Sequence, residues 1–168
     1  LLDRMGVGVS QVIGVGGRDL TDKIGGIMMK QGINMLASDP STELIVLISK
    51  PPSINVIPKI MEEALASGKP VVVNFLGFKP SQKFENIYFT ETIEDTAEAV
   101  HSIINKSTDP FFVTKTSALL EMAYNERTKF SKNQKYIRGL FSGGSLCDEA
   151  IDVFRRYSCL LYTSDAAD

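Results

Sequence analysis

The sequence predicts an α/β fold in which a doubly wound, mostly parallel sheet carries helices on both faces. Residues 44–48 form an unbroken apolar run, and residues 70–75 repeat the pattern with three consecutive valines. Such runs are typical of strands that are buried on both faces of a parallel sheet. Amphipathic helical patterns alternate with these strands, and this alternation favours right-handed crossover connections.

The first predicted strand is residues 9–15, a β-branched run that ends in glycines. A helical pattern follows, and Asp-Pro-Ser at 39–41 ends it. Its predicted buried face comprises Ile24, Ile27, Met28, Met35 and Leu36. Helical spacing also predicts core positions for Met28, Met29, Met35 and Met61. Residues 44–48 then form the second strand, which the prolines at 51 and 52 end.

The second helix has an i, i+3, i+4, i+7, i+8 apolar stripe and Gly68 as its C-terminal cap. The stripe comprises Ile57, Ile60, Met61, Ala64 and Leu65. Pro58 is tolerated because the helix is predicted to start near Asn55 or Val56, where the missing N–H has no partner to lose.

Residues 70–75 form the third strand and residues 86–89 a short fourth one. A capping box at 92–95 then opens a helix. The inward-facing residues of this helix are predicted to be Ile93, Ala97, Val100 and Ile104.

These elements divide the chain into a first domain at residues 1–106, a linker and helix at 107–135 and the start of a second domain at 136–158. The helix of the middle segment is predicted from 117 to about 131. The second domain begins with a strand at 136–141. A helix follows, with Ser145 as N-cap and Asp148 three positions later.

Both ends of the chain depart from this pattern. Residues 1–5 look like the last turns of a helix, so we expect a fragment of a longer reading frame. Residues 159–168 break the preceding amphipathic pattern. Back-translated, they resemble a transposase adapter that has been read through in frame, so we expect a non-native tail.

Composition excludes several classes of partner and location. The chain has 18 basic and 20 acidic residues, and two of the acids lie in the suspected tail, which leaves 18 of each sign. This balance predicts no attraction to nucleic acid or to an anionic membrane. One cysteine, Cys147, lies outside the tail, and no signal peptide or apolar run of about 20 residues is present. We therefore expect a cytoplasmic protein.

Two Gly-Gly loops are the candidate functional sites, because each follows an apolar run and precedes a helical pattern. Glycine pairs let backbone N–H groups approach an anion, and a helix N-terminus behind the loop favours negative charge. The candidate anion-binding residues are Gly16, Gly17, Arg18, Asp19, Ser142, Gly143, Gly144 and Ser145. The alternatives are a tight βα turn at the first loop and an ordinary capped helix at the second.

Other chemistries have little support in the sequence. A dinucleotide fingerprint would need glycine or alanine where Asp19 stands, which disfavours a nicotinamide or flavin site. His101 and Cys147 have no catalytic partner at a recognisable spacing and are interpreted as packing or solvated residues. No Cys/His cluster predicts a metal site, and no catalytic residue is identified.

Residues 8–17, Gly-Val-Ser-Gln-Val-Ile-Gly-Val-Gly-Gly, resemble a segment in the ligase domain of succinyl-CoA synthetase α subunits. Residues 141–148, Phe-Ser-Gly-Gly-Ser-Leu-Cys-Asp, are similar to a β-subunit segment, although the glycines fall one position later. An α-type domain followed by a β-type domain in one chain is the arrangement of the FdrA family. Residues 17–20 and 138–144 resemble that family closely.

The resemblance implies a flavodoxin-like first domain and a β-type ligase second domain, with the two Gly loops facing one shared site. It implies that Gly16, Gly17 and Arg18 hold a carboxylate, and that residues 143–145 supply N–H donors to a phosphoryl group. The implied partner is a small carboxylate or phosphorylated metabolite, and the implied assembly is a homo- or hetero-oligomer. The CoA-binding domain would lie upstream of Leu1, so no cofactor is assigned to residues 1–168 themselves.

One departure leaves the activity open. The synthetases relay phosphate through a histidine in the loop after the third strand, and residues 75–80 contain no histidine. The resemblance therefore implies either an acyl-CoA synthetase-like enzyme or a subunit of a carbamoyltransferase that acts on oxamate and carbamoyl phosphate without phosphohistidine. A noncatalytic assembly domain is the third alternative.

Overall fold

The computed structural model describes residues 1–108, 116–134, 136 and 138–156. A short 3-10 helix, Leu2–Met5, precedes the main elements. The strands are β1 (Ile45–Ser49), β2 (Val71–Phe75) and β3 (Ile87–Phe89). The helices are α1 (Ile27–Ser38), α2 (Ile57–Ala66), α3 (Ile93–Asn105), α4 (Thr116–Thr128) and α5 (Gly144–Arg156).

The three strands form a parallel sheet in the order β1-β2-β3. Ile45 pairs with Val71, and Val71 pairs with Ile87 on its other side. All five residues of β2 are buried, as expected of the central strand of a parallel α/β sheet. The described part of the chain thus confirms an α/β fold with parallel strands.

Helices cover both faces of this sheet. One face packs against α1 and α2 in a continuous apolar cluster, while α3 packs on β2 from the opposite face. The buried members of the cluster are Leu20, Met29, Ile33, Ile45, Leu47, Val56, Ile57, Ile60, Met61, Ala64, Val71, Val73, Phe75 and Ile87. The α3 face contributes Val72, Ala97 and Val100 to the buried set.

Helices α2 and α3 begin as predicted. Val56 is the N-cap of α2 and Pro58 lies in its first turn, where proline costs no hydrogen bond. At α3, the Thr92 side chain accepts from the Asp95 N–H and the Asp95 carboxylate accepts from the Thr92 N–H, so the capping box is confirmed. Leu65 of the predicted α2 stripe is the exception, because it is exposed.

The predicted buried face of α1 is wrong at four positions, since Ile24, Ile27, Met28 and Met35 are exposed. Met29 is buried as predicted and Leu36 packs against the core, whereas the buried Ile33 was not predicted. The helix is anchored at Gly26, whose φ is +76° and whose added Cβ would lie 2.7 Å from Ile60 Cδ1. Because the backbone of α1 starts in direct contact with α2, its rotation is set by this contact, which periodicity does not reveal.

The segment 9–15, which was predicted to be a strand, is irregular in the structure. It is held in part by a hydrogen bond between Ser10 Oγ and Thr42 Oγ1, 2.8 Å apart, and Val12 is 88% exposed. Strand β1 is correspondingly buried on one face only, since Ile48 is half exposed. The β-branched composition of the segment favours a strand, but a strand also needs a ladder of hydrogen bonds to a neighbour.

The predicted strand at 136–141 is also absent from its described residues, 136 and 138–141. Tyr136 and Leu140 are largely exposed, and no neighbouring strand pairs with them. The suspected tail at 159–168 lies outside the described residues. Within the described ranges, no helix combines the length and apolarity needed to cross a membrane.

The connection between α1 and β1 is stabilised by the carboxylate of Asp39. It accepts hydrogen bonds from the Ser41 N–H and hydroxyl and from the Thr42 hydroxyl. The Lys69 ammonium donates to the carbonyl oxygens of Leu36 and Asp39 at 2.8 and 2.6 Å. The Thr42 hydrogen bond, then those of Ser41, hold the pKa of Asp39 below its ordinary value of 3.8, and Lys69 adds to this effect.

We expect Asp39→Asn to lower the free energy of unfolding at neutral pH. Because the pKa of Asp39 is depressed in the folded state, the stabilisation is fully present above about pH 3.8 and is lost as the pH falls through the lower folded pKa. The difference between wild type and variant in urea unfolding should therefore shrink below pH 3.8. Glu43→Gln, an exposed neighbour, is the control, and a difference that does not change with pH would contradict this account.

Candidate functional site

The carboxyl ends of the three strands lie at one edge of the sheet. Lys50 follows β1, Gly77 follows β2, and residues 90–92 connect β3 to α3. In open α/β sheets, ligands bind at this edge, where the connecting loops diverge. The positions of both Gly-Gly loops relative to this edge therefore decide whether they can form a site.

The first Gly-Gly loop is open to solvent. Gly16 has a φ of +82°, which glycine adopts without strain, and no atom outside the loop lies within 4 Å of an added Cβ at Gly16 or Gly17. The Arg18 side chain beside them is exposed. An anionic group can thus approach both the loop backbone and a guanidinium group.

Asp19 has a different role from the one predicted. Its carboxylate is 97% buried and accepts hydrogen bonds from the first turn of α1, with Oδ1 2.9 Å from Met28 N and Oδ2 2.8 Å from Met29 N. The positive end of α1 is therefore satisfied by the protein's own carboxylate. The Asp19 carboxylate itself thus occupies the N-terminus of α1.

The second Gly-Gly loop leads directly into a helix, but its cap differs from the prediction. Helix α5 begins at Gly144, and the Cys147 N–H donates to the Gly143 carbonyl at 3.3 Å. Ser145 consequently lies inside the first turn and is not the N-cap. Asp148 does not cap the helix and instead forms an ion pair with Lys50, with Oδ2 3.0 Å from Nζ.

The residues that follow the first loop and the second loop itself approach the same connection, residues 50–53 between β1 and α2. On the side of the first loop, Ser53 N donates to the Leu20 carbonyl at 2.9 Å, and Asp22 N donates to Ser53 Oγ at 3.1 Å. On the side of the second loop, Lys50 Nζ lies 3.0 Å from the position of an added Cβ at Gly144. The structure thus brings the two segments to one end of β1.

Helix α5 continues across the carboxyl edge of the sheet. Glu149 Oε1 accepts a hydrogen bond of 2.9 Å from Ile93 N, the first N–H of α3. One turn later, Asp152 Oδ1 lies 3.9 Å from the position of an added Cβ at Gly77. Three carboxylates of α5 therefore face the ends of all three strands.

Asn74 is a site residue that the sequence analysis did not single out. It is fully buried in β2, and among the described residues neither its amide nitrogen nor its amide oxygen has a hydrogen-bond partner. Leaving such groups unpaired costs about 1–3 kcal/mol. In the sequence, Asn74 is recognisable only as the single polar residue of the apolar run 71–75. The hydrophobic pattern predicts a strand there but does not indicate a binding role for this residue.

A cavity of about 1070 Å³ extends along the outer edge of β1 toward α3. The residues that line it on the α3 face include Ile48, Ile93, Thr96, Ala97 and Val100. Its walls are mainly apolar, which is usual for sites that bind small organic molecules. The polar groups at the carboxyl edge lie at one end of this cavity, where Ile48 and Ile93 are located.

The remaining candidates add no chemistry to this edge. His101 lies on α3, and Cys147 lies in the first turn of α5, where its N–H donates to the Gly143 carbonyl. Within the described ranges, no group of His, Cys, Asp and Glu side chains is arranged to hold a metal ion.

Comparison with known proteins identifies two relationships. Residues 2–77 match the family model of the CoA binding domain. The chain is 45% identical over 152 residues to the uncharacterized protein YahF of Escherichia coli strain K12, an alignment that covers 89% of this chain. The chain spans only 29% of the length of YahF.

Residues 2–77 are thus similar to the CoA binding domain, and most of the chain is similar to part of YahF. The resemblance noted in the sequence places the CoA-binding domain upstream of Leu1, but the matched segment lies within the chain. It includes the first Gly-Gly loop, β1, α2 and β2.

We expect Asp19→Asn to destabilise the fold by about 1–2 kcal/mol, because the carboxylate supplies two charge-assisted hydrogen bonds to the start of α1. The measurement is the free energy of unfolding in urea. Asp22→Asn is the matched control, since the Asp22 side chain is exposed in the same loop. Equal stability of the two variants would show that Asp19 does not hold the helix.

Proposed function

We propose that the chain is part of an FdrA-like protein of the succinyl-CoA synthetase superfamily, with a flavodoxin-like first domain. Its two Gly-Gly loops would bind carboxylate and phosphate groups during acyl or phosphoryl transfer. The observation that carries this proposal is the approach of the second loop and of the residues directly after the first loop to residues 50–53 at the end of β1. Two anion-binding loops at one strand end can hold two groups that react with each other.

Each loop has the donors that its role requires. At the first loop, the backbone around Gly16 and Gly17 is accessible, and the Arg18 guanidinium can form a paired hydrogen bond with a carboxylate. At the second loop, the first turn of α5 presents backbone N–H groups and the Ser145 hydroxyl toward a phosphoryl group. Positioned donors of this kind stabilise charge that develops during group transfer.

The CoA binding domain match makes CoA the cofactor of this proposal. The first loop fits one anionic group of such a molecule, since a phosphate can approach the Gly16–Gly17 backbone and Arg18 without meeting a side chain. When bound, CoA supplies the thiol that accepts an acyl group. The chain's own residues orient the reacting groups and neutralise their charge, and assembly into homo- or hetero-oligomers belongs to the same proposal.

Carbamoyl transfer is the second candidate, and the distribution of histidine favours it. The chain has one histidine, His101, and it lies on α3. The connection after β2 carries no histidine, so it has no residue for a phosphohistidine relay. Transfer of a carbamoyl group from carbamoyl phosphate to oxamate needs two anion sites and no such relay.

The test is calorimetric titration of the protein with CoA, carbamoyl phosphate and oxamate. Binding of CoA supports the ligase version, whereas binding of carbamoyl phosphate and oxamate without CoA supports the transferase version. We expect Arg18→Gln to weaken binding of the recognised anion about tenfold, the value for loss of a charge-assisted hydrogen bond.

Arg127→Gln on α4 is the matched control, because Arg127 is also exposed but lies outside both loops. We expect its affinity to equal that of the wild type. Absence of binding for all three probes would overturn the proposed function. Equal affinities of Arg18→Gln and Arg127→Gln would show that Arg18 does not contribute to anion binding.

A further inference from the structure

We propose that the start of α3, the Asn74 amide and Lys50 form a third site, for a small organic carboxylate with an adjacent hydroxyl group. In this structure, the Glu149 carboxylate of α5 occupies the anion position of that site. The site is distinct from the first Gly-Gly loop, and it adjoins the second loop because Lys50 Nζ lies beside Gly144.

The first observation is that the N-terminus of α3 already holds a carboxylate. Glu149 Oε1 lies 2.9 Å from Ile93 N, although Glu149 belongs to another helix. The α3 start has its own capping box, and this satisfies the Thr92 and Asp95 N–H groups but not that of Ile93. The Ile93 N–H is thus a donor that the capping box leaves for a carboxylate from elsewhere.

The second observation is the orphaned amide of Asn74. Val73 and Phe75 belong to the cluster under α1 and α2, so strand alternation directs Asn74 to the opposite face, which α3 covers. Its partner in register on β1 is Ile48, which lines the cavity. A fully buried amide with two unused hydrogen-bonding atoms indicates a polar group that this conformation does not contain.

The amide and the α3 start lie at the same level of the sheet. Thr90 N donates to the Val73 carbonyl at 3.0 Å, which extends the ladder of β3 to the position beside Asn74. The Thr90 hydroxyl is 2.8 Å from the hydroxyl of Thr96 in the first turns of α3. Thr90 thus links the strand position beside Asn74 to the first turns of α3, at the same end of the sheet.

One of the contacts that hold α5 over this site is an exposed ion pair. The ion pair of Asp148 with Lys50 joins side chains that are 35% and 53% exposed, and exposed pairs of this kind contribute little to stability. Displacement of α5 would free Lys50 and Ile93 N together, which gives an incoming carboxylate a cation as well as a helix N-terminus. The carboxylates of α5 thus compete with the ligand for the same two groups.

The test measures glycolate and acetate binding by calorimetry. Glycolate adds a hydroxyl to the same carboxylate, so we expect it to bind about tenfold more tightly than acetate in the wild type, the value of one good hydrogen bond. Glu149→Gln should tighten glycolate binding because it weakens the internal competitor. Glu62→Gln, an exposed position on α2, is the control and should leave the affinity unchanged.

Asn74→Leu should abolish the preference for glycolate over acetate while leaving the thermal unfolding midpoint no lower, because it replaces an unpaired buried amide. The preference for glycolate over acetate should persist in Arg18→Gln, because a carboxylate at the first Gly-Gly loop does not contact Asn74. Glycolate binding that is no tighter in Glu149→Gln than in the wild type would overturn the proposal. Loss of the preference in Arg18→Gln would assign it to the Gly loop and would also overturn the proposal.

Discussion

The burial of β2 on both faces is the constraint on which the other elements depend. Its five residues hydrogen-bond to β1 on one side, and the first three pair with β3 on the other. Helices must then cover both faces, because the strand is apolar on each. The parallel direction of the ladder brings the three strand ends together at one edge. The placement of Lys50, Gly77 and the start of α3 at this edge follows from this ladder.

Much of this arrangement could be predicted from the sequence, because local chemistry and tertiary packing agree there. The valines of β2 predict a buried strand, the apolar stripe of α2 predicts a helix with one buried face, and the Thr92–Asp95 capping box predicts a helix start. The fold contains all three elements. Helix α1 could not be oriented in this way, since its rotation depends on a backbone contact at Gly26 with a residue of α2. The segment 9–15 has strand composition, but composition does not supply a hydrogen-bonding neighbour.

The candidate site was harder to predict than the fold, for a related reason. Glycines and charged residues in a loop indicate that an anion can bind, but not which anion binds. The N-terminus of α1 is satisfied by the carboxylate of Asp19. The first N–H of α3, at Ile93, is satisfied by the carboxylate of Glu149, which lies more than fifty residues later in the chain. Internal carboxylates and external ligands satisfy helix N-termini by the same physics. Only the three-dimensional structure shows which termini are already satisfied.

The outer edge of β1 has a consequence for the behaviour of the protein in concentrated solution. Segment 9–15 runs beside this edge as irregular chain, and Ile48 and Val12 expose apolar surface there. A parallel strand with a vacant side offers its backbone donors and acceptors to any extended peptide, including the same segment of a second molecule. The edge is therefore the place where self-association would begin, and charged substitutions on its exposed apolar side chains would oppose it without touching the strand ends.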